Sequence, residues 1–280
     1  MPLITLTTDF GDSDGFVGVL RGVLHGISPG SGIVDLAHSI PPGDIVHAAY
    51  VLRSAYLYFP PGTVHLTVVD PGVGGERRAL AVRTVGQFFV APDNGLLAWV
   101  IREAETAGEE VRAWSIEDER FRLGPVSSTF HGRDIFAPAA AFLAQGVDPS
   151  EMGPELRAAF EPDGQLSGGP VVDLLRSPGD PAGEGRVVHI DRFGNCITTI
   201  EASTLPDDIV LVRSSAAFEV ETAAGMLKVE GLLPSYESVR EGAAAALEGS
   251  GGLVEIAMRG ENAAELLGVR RGARIRLISP

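Results

Sequence analysis

The chain has 280 residues, is 45% hydrophobic and carries a formal net charge of −15 without any run of Lys or Arg. This charge disfavours a polyanionic partner such as nucleic acid, but it is compatible with a neutral or cationic small substrate. The apolar runs are all shorter than the roughly 18 residues that a membrane-spanning helix needs, so no membrane role is expected.

The N-terminus MPLITLTTDF lacks the basic and long apolar regions of a secretory signal, and the single cysteine, Cys196, cannot form an intramolecular disulfide. We therefore expect a cytoplasmic protein. The length allows one large core or two moderate ones.

Strand and helix patterns alternate over the first part of the chain. The β-rich runs LITLTTD, GIVDLA, VHLTVVD, ALAVRT and FFVAPD alternate with the helical patterns FVGVLRGVLHGIS, DIVHAAYVLRSAYLYF and GLLAWVIREAE. This order predicts an N-terminal α/β domain over residues 1–165 with a largely parallel central sheet. Ligands of such sheets bind at the carboxyl ends of the strands, so the polar turns there are the first candidates for a site.

A Gly-, Pro- and Asp-rich stretch separates this domain from a second one. It predicts a linker at 166–184. The runs RVVHIDRFGNCITTI, DIVLVRSS, FEVETAAGMLKVEG, GLVEIAMRG and ARIRLIS follow at short spacing with little helical pattern. We therefore expect a smaller C-terminal β domain over residues 185–280, a small barrel or a sandwich.

Candidate chemical residues follow the predicted strands of the first domain. Asp9 closes the first strand, where its carboxylate could accept hydrogen bonds from a ribose diol or cap the following helix. Asp70 enters the glycine turn of DPGVGGERR, which could also be an ordinary strand exit. His131 in TFHGRD could transfer a proton at neutral pH or serve as a capping or packing residue. Asp, Arg and His without a nucleophile-elbow Ser or Cys fit activation of a water better than acyl transfer.

A second candidate set opens the predicted barrel. In DRFGNCITTI, a strand-to-turn stretch, the period of two predicts that the side chains of Asp191, Phe193 and Asn195 lie on one face. A carboxylate, an aromatic surface and an amide could hold an amino acid or a purine edge. A mixed, solvent-exposed strand edge explains the same pattern.

Seven motifs occur together and in one order: TTDFG, HSIPPGD, FPPGTVHLTVVDPGVGGERR, VAPDNGLL, TFHGRDIFAP, DRFGNCITT and MRGENAAELLG. In this the chain resembles the S-adenosyl-L-methionine (SAM) hydrolases that form adenosine, also called SAM hydroxide adenosyltransferases, which are relatives of the fluorinase and chlorinase enzymes. The resemblance covers nearly the whole chain.

The resemblance implies an α/β domain followed by a β-barrel, a homotrimer with sites at subunit interfaces, and no cofactor or metal. It implies that Asp70, Arg77 and His131 activate water, with Arg78 as the alternative to Arg77. Binding roles are implied for Asp9 at the ribose, for Asp191, Phe193 and Asn195 at the methionine and adenine parts, for Arg259 at the methionine carboxylate, and for Tyr236 and Ala263 at adenine.

The halogenating relatives carry an aromatic residue at the position of Asp70, and they replace His131 as well. Fluorinase also has a long insertion where only TVGQ stands here, and a halide-binding serine at the position of Gly132. These differences favour hydroxide over halide as the nucleophile.

Three alternatives to SAM hydrolysis remain at this point. One is a SAM-dependent halogenase. Another is a metal-dependent hydrolase that uses Asp9, Asp12, Asp14, Asp70 and His131, although these acids match no ligand template. The third is a sensor that binds SAM or adenosine without turnover.

Overall fold

The computed structural model of the protein describes residues 1–84, 86–156, 183–206 and 216–278. The chain divides into two compact units, Met1–Asp173 and Leu174–Pro280. The predicted linker at 166–184 lies outside the described residues except for its last two, and the predicted strand DIVLVRSS lies wholly outside them.

The first unit is built on a mixed sheet. Its described part has six strands in the order β2-β1-β3-β5-β4-β6. The strands are β1 (Leu3–Thr8), β2 (Gly32–Ala37), β3 (Val64–Val68), β4 (Ala79–Arg83), β5 (Phe88–Pro92) and β6 (Arg112–Ser115). The four strands β2, β1, β3 and β5 are parallel, whereas β4 pairs antiparallel with both β5 and β6. The predicted α/β class with a largely parallel sheet is confirmed.

Helices cover this sheet. They are α1 (Phe16–Ile27), α2 (Ile45–Ala55), α3 (Ala98–Thr106) and α4 (Ala137–Ala144). Every residue of β3 is buried, as expected for a central parallel strand with both faces covered. Because β1, β3 and β5 run in the same direction, their carboxyl ends, and the polar residues that follow them, meet at one edge of the sheet.

Helix α4 is preceded by a π-helical turn, Gly132–Phe136. Short π-helical segments are rare and occur frequently at functional sites. Here the turn begins directly after His131, so it sets the direction in which that side chain leaves the backbone.

The second unit is a closed β-barrel. Within the described residues it has seven strands in the order β10-β11-β12-β8-β7-β13-β9. They are β7 (Glu184–Ile190), β8 (Cys196–Glu201), β9 (Ala217–Thr222), β10 (Gly225–Leu233), β11 (Ala244–Glu248), β12 (Leu253–Met258) and β13 (Arg274–Leu277). A short helix, α5 (Ala263–Leu267), lies between the last two strands. The predicted C-terminal barrel is confirmed.

The barrel encloses its own apolar core, which includes Phe218, Val254 and Ile256. None of the helices in the described ranges has both the length and the apolar character needed to cross a membrane.

Candidate active site

Arg77 joins Asp70 and His131 into one cluster. Its Nε lies 3.0 Å from both carboxylate oxygens of Asp70, and its Nη2 donates to Asp70 Oδ2 as well. The same Nη2 lies 2.7 Å from Nδ1 of His131. The guanidinium carbon is 5.1 Å from the centroid of the buried Phe136 ring. Arg77 is therefore fixed by two polar partners and by an aromatic face.

The contact between Arg77 and His131 defines the direction of the hydrogen bond. An arginine side chain can only donate, so Nδ1 of His131 accepts. In the neutral imidazole the proton is then on Nε2. Burial, followed by the charge of Arg77, lowers the pKa of His131 below its usual value, against smaller opposing effects of Asp70 and Asp134. The neutral ring is thus the form that this environment favours near pH 7.

Arg78 takes no part in this cluster. Its Nε donates to Oδ2 of the buried Asp93 at 2.7 Å, and the backbone N–H of Asp93 donates to the carbonyl of Arg78 at 3.0 Å. Nδ2 of Asn94 donates to the carbonyl of Val69 at 2.9 Å. The VAPDN segment therefore holds the backbone before Asp70, and Arg77 is the arginine that contacts Asp70 and His131.

Two loops meet closely to form the cluster. Gly74 has a φ of +79°, and a Cβ atom there would overlap the carbonyl oxygen of Ser128. The N–H of Ser127 donates to Asp134 Oδ2 at 2.8 Å, which ties the second loop to the π-helical turn. Only glycine allows this conformation and this approach together. The glycines of DPGVGG thus let the loop of Asp70 pack against the segment before His131.

Asp9 lies at the end of β1, where it accepts a hydrogen bond from the N–H of Gly43 at 2.8 Å. Its other oxygen, Oδ1, accepts no hydrogen bond from the described residues. The next residue, Phe10, packs edge to face against Phe130, with centroids 5.9 Å apart. Since Phe130 precedes His131, aromatic packing connects the strand end of Asp9 with the segment of His131.

Gly132 lies beneath these two rings. A Cβ atom at this position would come within 3.3 Å of Phe10 and 3.4 Å of Phe130. A serine at Gly132 would therefore require both rings to shift by a few tenths of an ångström.

The barrel unit contains an open cavity of about 710 Å³. Of the residues predicted to bind substrate, it is lined by Asp191, Phe193, Asn195, Tyr236 and Arg259. Glu237, Met258, Gly260, Glu261 and Asn262 complete the lining. Five side chains that the sequence singled out therefore share one cavity.

The predicted strand-to-turn stretch is present, but the strand period that was expected to align Asp191, Phe193 and Asn195 is wrong, because all three lie beyond the end of β7. The segment is the turn between β7 and β8, and Gly194 has a φ of +87°. Oδ1 of Asp191 accepts from the N–H groups of Phe193 and Asn195, while Oδ2 accepts from Nδ2 of Asn195 at 2.9 Å. Asp191 closes the turn with its own side chain, as Asp commonly does. This turn, rather than a strand period, brings the three residues to one cavity.

Tyr236 is held by a carboxylate that the sequence analysis did not single out. Its hydroxyl donates to Oε1 of the buried Glu255, and Nδ2 of Asn195 lies 3.4 Å from the same hydroxyl. Burial raises the pKa of Glu255; the hydrogen bond from Tyr236 acts in the opposite direction, and the charge of Asp191 adds to the increase. Glu255 lies in the run GLVEIAMRG, where it could have been noticed as an acid in an otherwise buried strand.

The remaining two predicted residues lie nearby in the barrel unit. Arg259 is exposed, with Nη1 3.3 Å from the carbonyl of Glu237. Ala263 is fully buried in the first turn of α5, whose next residue, Ala264, donates its N–H to the carbonyl of Gly194 at 2.9 Å. It is Asn262, directly before Ala263, that lines the cavity.

In the part of the chain that the structure describes, no three His, Cys, Asp or Glu residues are grouped so that they could hold a metal ion. The Asp70 carboxylate is bonded to Arg77, and Nδ1 of His131 faces the same cation. Metal independence stays a prediction that a chelator tests.

Comparison with known proteins addresses the family resemblance directly. Residues 4–153 match the model of the SAM hydroxide adenosyltransferase N-terminal domain, and residues 185–276 match that of the C-terminal domain. The chain is 40% identical over 283 residues to the (R)-S-adenosyl-L-methionine hydrolase of Thermus thermophilus, covering 97% of each chain. It is also 40% identical over 280 residues to the hydrolase of the same name from Salinispora tropica, covering 99% of this chain and 97% of the relative.

Among solved structures, an uncharacterised conserved protein from Thermotoga maritima is similar with a TM-score of 0.83 and 32% identity, covering 99% of this chain and 100% of that one. The two matching domain models account for both units of the fold, and the predicted resemblance is confirmed. The chain belongs to the SAM hydroxide adenosyltransferase family.

Proposed function

We propose that the protein hydrolyses SAM to adenosine and L-methionine. The observation that carries the proposal is the Arg77 side chain, which links the carboxylate of Asp70 to the imidazole of His131. The names of the Thermus and Salinispora relatives support the same reaction. The leaving group is a sulfonium, so the protein must supply a positioned water and an acceptor for its proton.

The hydrogen-bond directions suggest how the proton moves. A neutral His131 carries its proton on Nε2, and this N–H would donate a hydrogen bond to a lone pair of the water, which holds the water in place. Asp70 Oδ1 accepts one bond from Arg77 and has capacity for another, so the carboxylate would take the proton. The C5′–O bond forms as the C5′–S bond breaks, its electron pair goes to sulfur, and neutral methionine leaves.

Substrate binding would use both units. Asp9 would accept hydrogen bonds from the two ribose hydroxyls, since Gly43 occupies only one of its oxygens. Asp191 and Asn195 would meet the methionine and adenine parts, with Phe193 packed beside them. Arg259 would pair with the methionine carboxylate. Tyr236 and Ala263 would border adenine.

For the assembly, we propose a cytoplasmic homotrimer in which the barrel of one subunit completes the site of its neighbour. We also propose that residues 1–165 and 185–280 are the two domains joined by the linker, and that neither a cofactor nor a metal takes part. A trimer in size-exclusion chromatography with light scattering is expected. Activity per subunit should fall when the protein is diluted into monomers. A fully active monomer would contradict a site that is shared between subunits.

The reaction itself is tested by incubating the purified protein with SAM and measuring adenosine and methionine. In ¹⁸O-labelled water one label should enter the adenosine 5′-oxygen and none should enter methionine. EDTA should leave the rate unchanged, and high chloride should give no 5′-chloro-5′-deoxyadenosine. Binding of SAM without any product would instead indicate a sensor, and a rate lost to EDTA would indicate a metal-dependent hydrolase.

A further inference from the structure

The HSIPPGD segment, residues 38–44, contains a buried histidine that the proposed reaction does not use. The imidazole of His38 is only 5% exposed, and both of its nitrogens have partners. Nδ1 lies 2.9 Å from the hydroxyl of Thr8, the last residue of β1, and Nε2 lies 2.9 Å from Oδ1 of Asp35 on β2. His38 therefore links two adjacent strands at the edge where the site residues lie.

The partners also fix the directions of these bonds. The Asp35 carboxylate accepts, so Nε2 of His38 carries a proton, and in the neutral ring Nδ1 accepts the hydroxyl proton of Thr8. Thr8 Oγ1 in turn accepts from the backbone N–H of Phe10 at 3.3 Å. Arg21 donates to Asp35 from the other side. The result is a continuous chain of hydrogen bonds from the backbone of Phe10 to the surface ion pair.

A Thr, a His and an Asp in series occur in nucleophilic sites, but that role is excluded here. Thr8 is fully buried and its hydroxyl is occupied by two partners, so it cannot reach a substrate. The role of these hydrogen bonds is therefore to hold the neighbouring backbone in place.

These hydrogen bonds involve the residues on both sides of Asp9. The hydroxyl of Thr8, which precedes Asp9, accepts from the backbone N–H of Phe10, which follows it. One residue farther on, the N–H of Gly11 donates to the carbonyl of His38 at 2.8 Å. The carboxylate itself accepts from Gly43, in the same HSIPPGD segment. The backbone on both sides of Asp9 and one of its oxygens are thus held by residues 38–43.

We infer that His38 is a positioning residue: together with Thr8 and Asp35 it orients the Asp9 carboxylate so that its free oxygen meets a vicinal diol of the ligand. This inference rests on the proposed role of Asp9 in ribose binding. A carboxylate that accepts hydrogen bonds from two hydroxyls must be correctly oriented as well as charged. A small rotation of Asp9 therefore weakens these charge-assisted hydrogen bonds. Breaking this series of hydrogen bonds should therefore weaken binding of ligands that carry the diol more than binding of ligands that lack it.

The test replaces Thr8 and measures adenosine and 2′-deoxyadenosine binding by calorimetry, with KM and kcat for SAM. Thr8→Val keeps the shape but removes the hydroxyl. We expect it to weaken adenosine binding roughly fivefold to tenfold, which is the loss of about one hydrogen bond, and to weaken 2′-deoxyadenosine binding much less. KM should rise more than kcat falls. Thr8→Ser restores the hydroxyl and should restore the preference for adenosine.

The matched control is Thr7→Val. Thr7 is equally buried on the same strand, but its hydroxyl has no hydrogen-bond partner among the described residues. It should leave the ratio of the two affinities unchanged. If Thr8→Val does not fold, Asp35→Ala on the exposed edge strand removes the hydrogen-bond acceptor of His38 Nε2. It should change the ratio of the adenosine and 2′-deoxyadenosine affinities by a smaller factor.

An unchanged ratio in the folded variants would overturn the role of His38. That result differs from a failure of the proposed function, in which the parent protein itself releases no adenosine from SAM. A parent that binds both nucleosides equally would show instead that Asp9 does not read the diol.

Discussion

The Arg77 cluster in the first unit and the cavity in the barrel unit differ in how their side chains are held. The side chains of Asp70 and Arg77 are largely withdrawn from solvent, His131 is half-buried, and Arg77 is bonded to both of the others. In the barrel cavity, Phe193 is 75% exposed and Tyr236 is 46% exposed. The residues proposed to act on the water are fixed in advance. In the cavity the polar side chains of Asp191 and Asn195 are also bonded, but the two rings proposed to pack against the ligand stand open to solvent.

This difference matches the demands of the two tasks. Groups that stabilise a transition state are most effective when they need no reorganisation during the reaction. Groups that bind a ligand can become ordered as it enters, at a cost in affinity. We therefore expect changes in the cluster to affect kcat and changes in the cavity to affect KM, and the following predictions test that division.

The largest effect is expected for Asp70→Asn. Asparagine keeps the size and can still accept a bond from Arg77, but it is a far weaker proton acceptor. The value of kcat should fall roughly 10²- to 10⁴-fold, the usual contribution of a general base. The Kd of SAM, measured by calorimetry, should stay within about threefold if electrostatic attraction of the cation is shared with other acids. If Asp70→Asn hydrolysed SAM at the parent rate, Asp70 would not be the proton acceptor.

A somewhat smaller loss is expected for Arg77→Lys, which keeps the charge. A lysine ammonium cannot contact Asp70 and His131 in the planar arrangement of Arg77 or stack on Phe136 in the same way, so kcat should fall roughly tenfold or more. Arg78→Lys is the matched control, because its partner is Asp93. It should stay within about threefold of the parent, and equal losses in the two variants would show that the cluster has no special role.

In the cavity, Phe193→Ala should raise KM roughly threefold to tenfold, as expected from loss of one aromatic contact, while kcat changes less than about twofold. The ring is mostly exposed, so the melting temperature should change little. Met226→Ala, an exposed apolar side chain of the same barrel outside the cavity, serves as the control. If Phe193→Ala lowered kcat and left KM unchanged, the division between the two regions would fail.

The smallest effect concerns the protonation of His131. Burial first, and then Arg77, lower its pKa below 6.5, so the ring stays neutral at neutral pH. Protonation on Nδ1 would remove its hydrogen bond from Arg77, so activity should decline as the pH falls through the lowered value. Between that value and 6.5 the unfolded chain binds more protons than the folded one, so stability also decreases as the pH falls. Arg77→Gln should raise the pKa of His131, measured by NMR titration, without bringing it fully to 6.5. A pKa that stayed the same or fell would show that the Arg77 charge does not act on the imidazole.

The sequence predicted the architecture where its patterns had a clear period. The alternation of strands and helices identified the α/β unit, and the spaced β runs identified a β domain, which the family resemblance specified as a barrel. It gave no helix at α4, because APAAAFLA is apolar on all sides and has no period that distinguishes a buried helix from a strand. It gave no strand at β11, where AAALE has little β-propensity and is held by pairing with β10 and β12.

For the candidate site, the sequence proposed individual residues but not the contacts between them. The motifs pointed to Asp70, Arg77 and His131, yet the choice between Arg77 and Arg78 depended on which way each side chain leaves the loop, and that follows from the pairing of Arg78 with Asp93. The turn at Asp191 depended on a side chain bonding its own backbone, which strand periodicity does not describe. Glu255 is marked only as an acid within a buried strand, and the contact of His38 with Thr8 joins residues 30 positions apart, which no local pattern describes.

The close approach of Gly74 to Ser128 has a consequence for altering this enzyme by mutagenesis. The loop that carries Asp70 and Arg77 and the loop that precedes His131 share that contact, and a side chain at position 74 would overlap the backbone carbonyl of Ser128, which no change of the Ser128 side chain relieves. Libraries that replace Gly74 will therefore be dominated by variants in which the two loops are pushed apart. Joint randomisation of residues 71–76 and 126–130, with glycine retained at position 74, is the design that samples new nucleophile preferences on an intact scaffold.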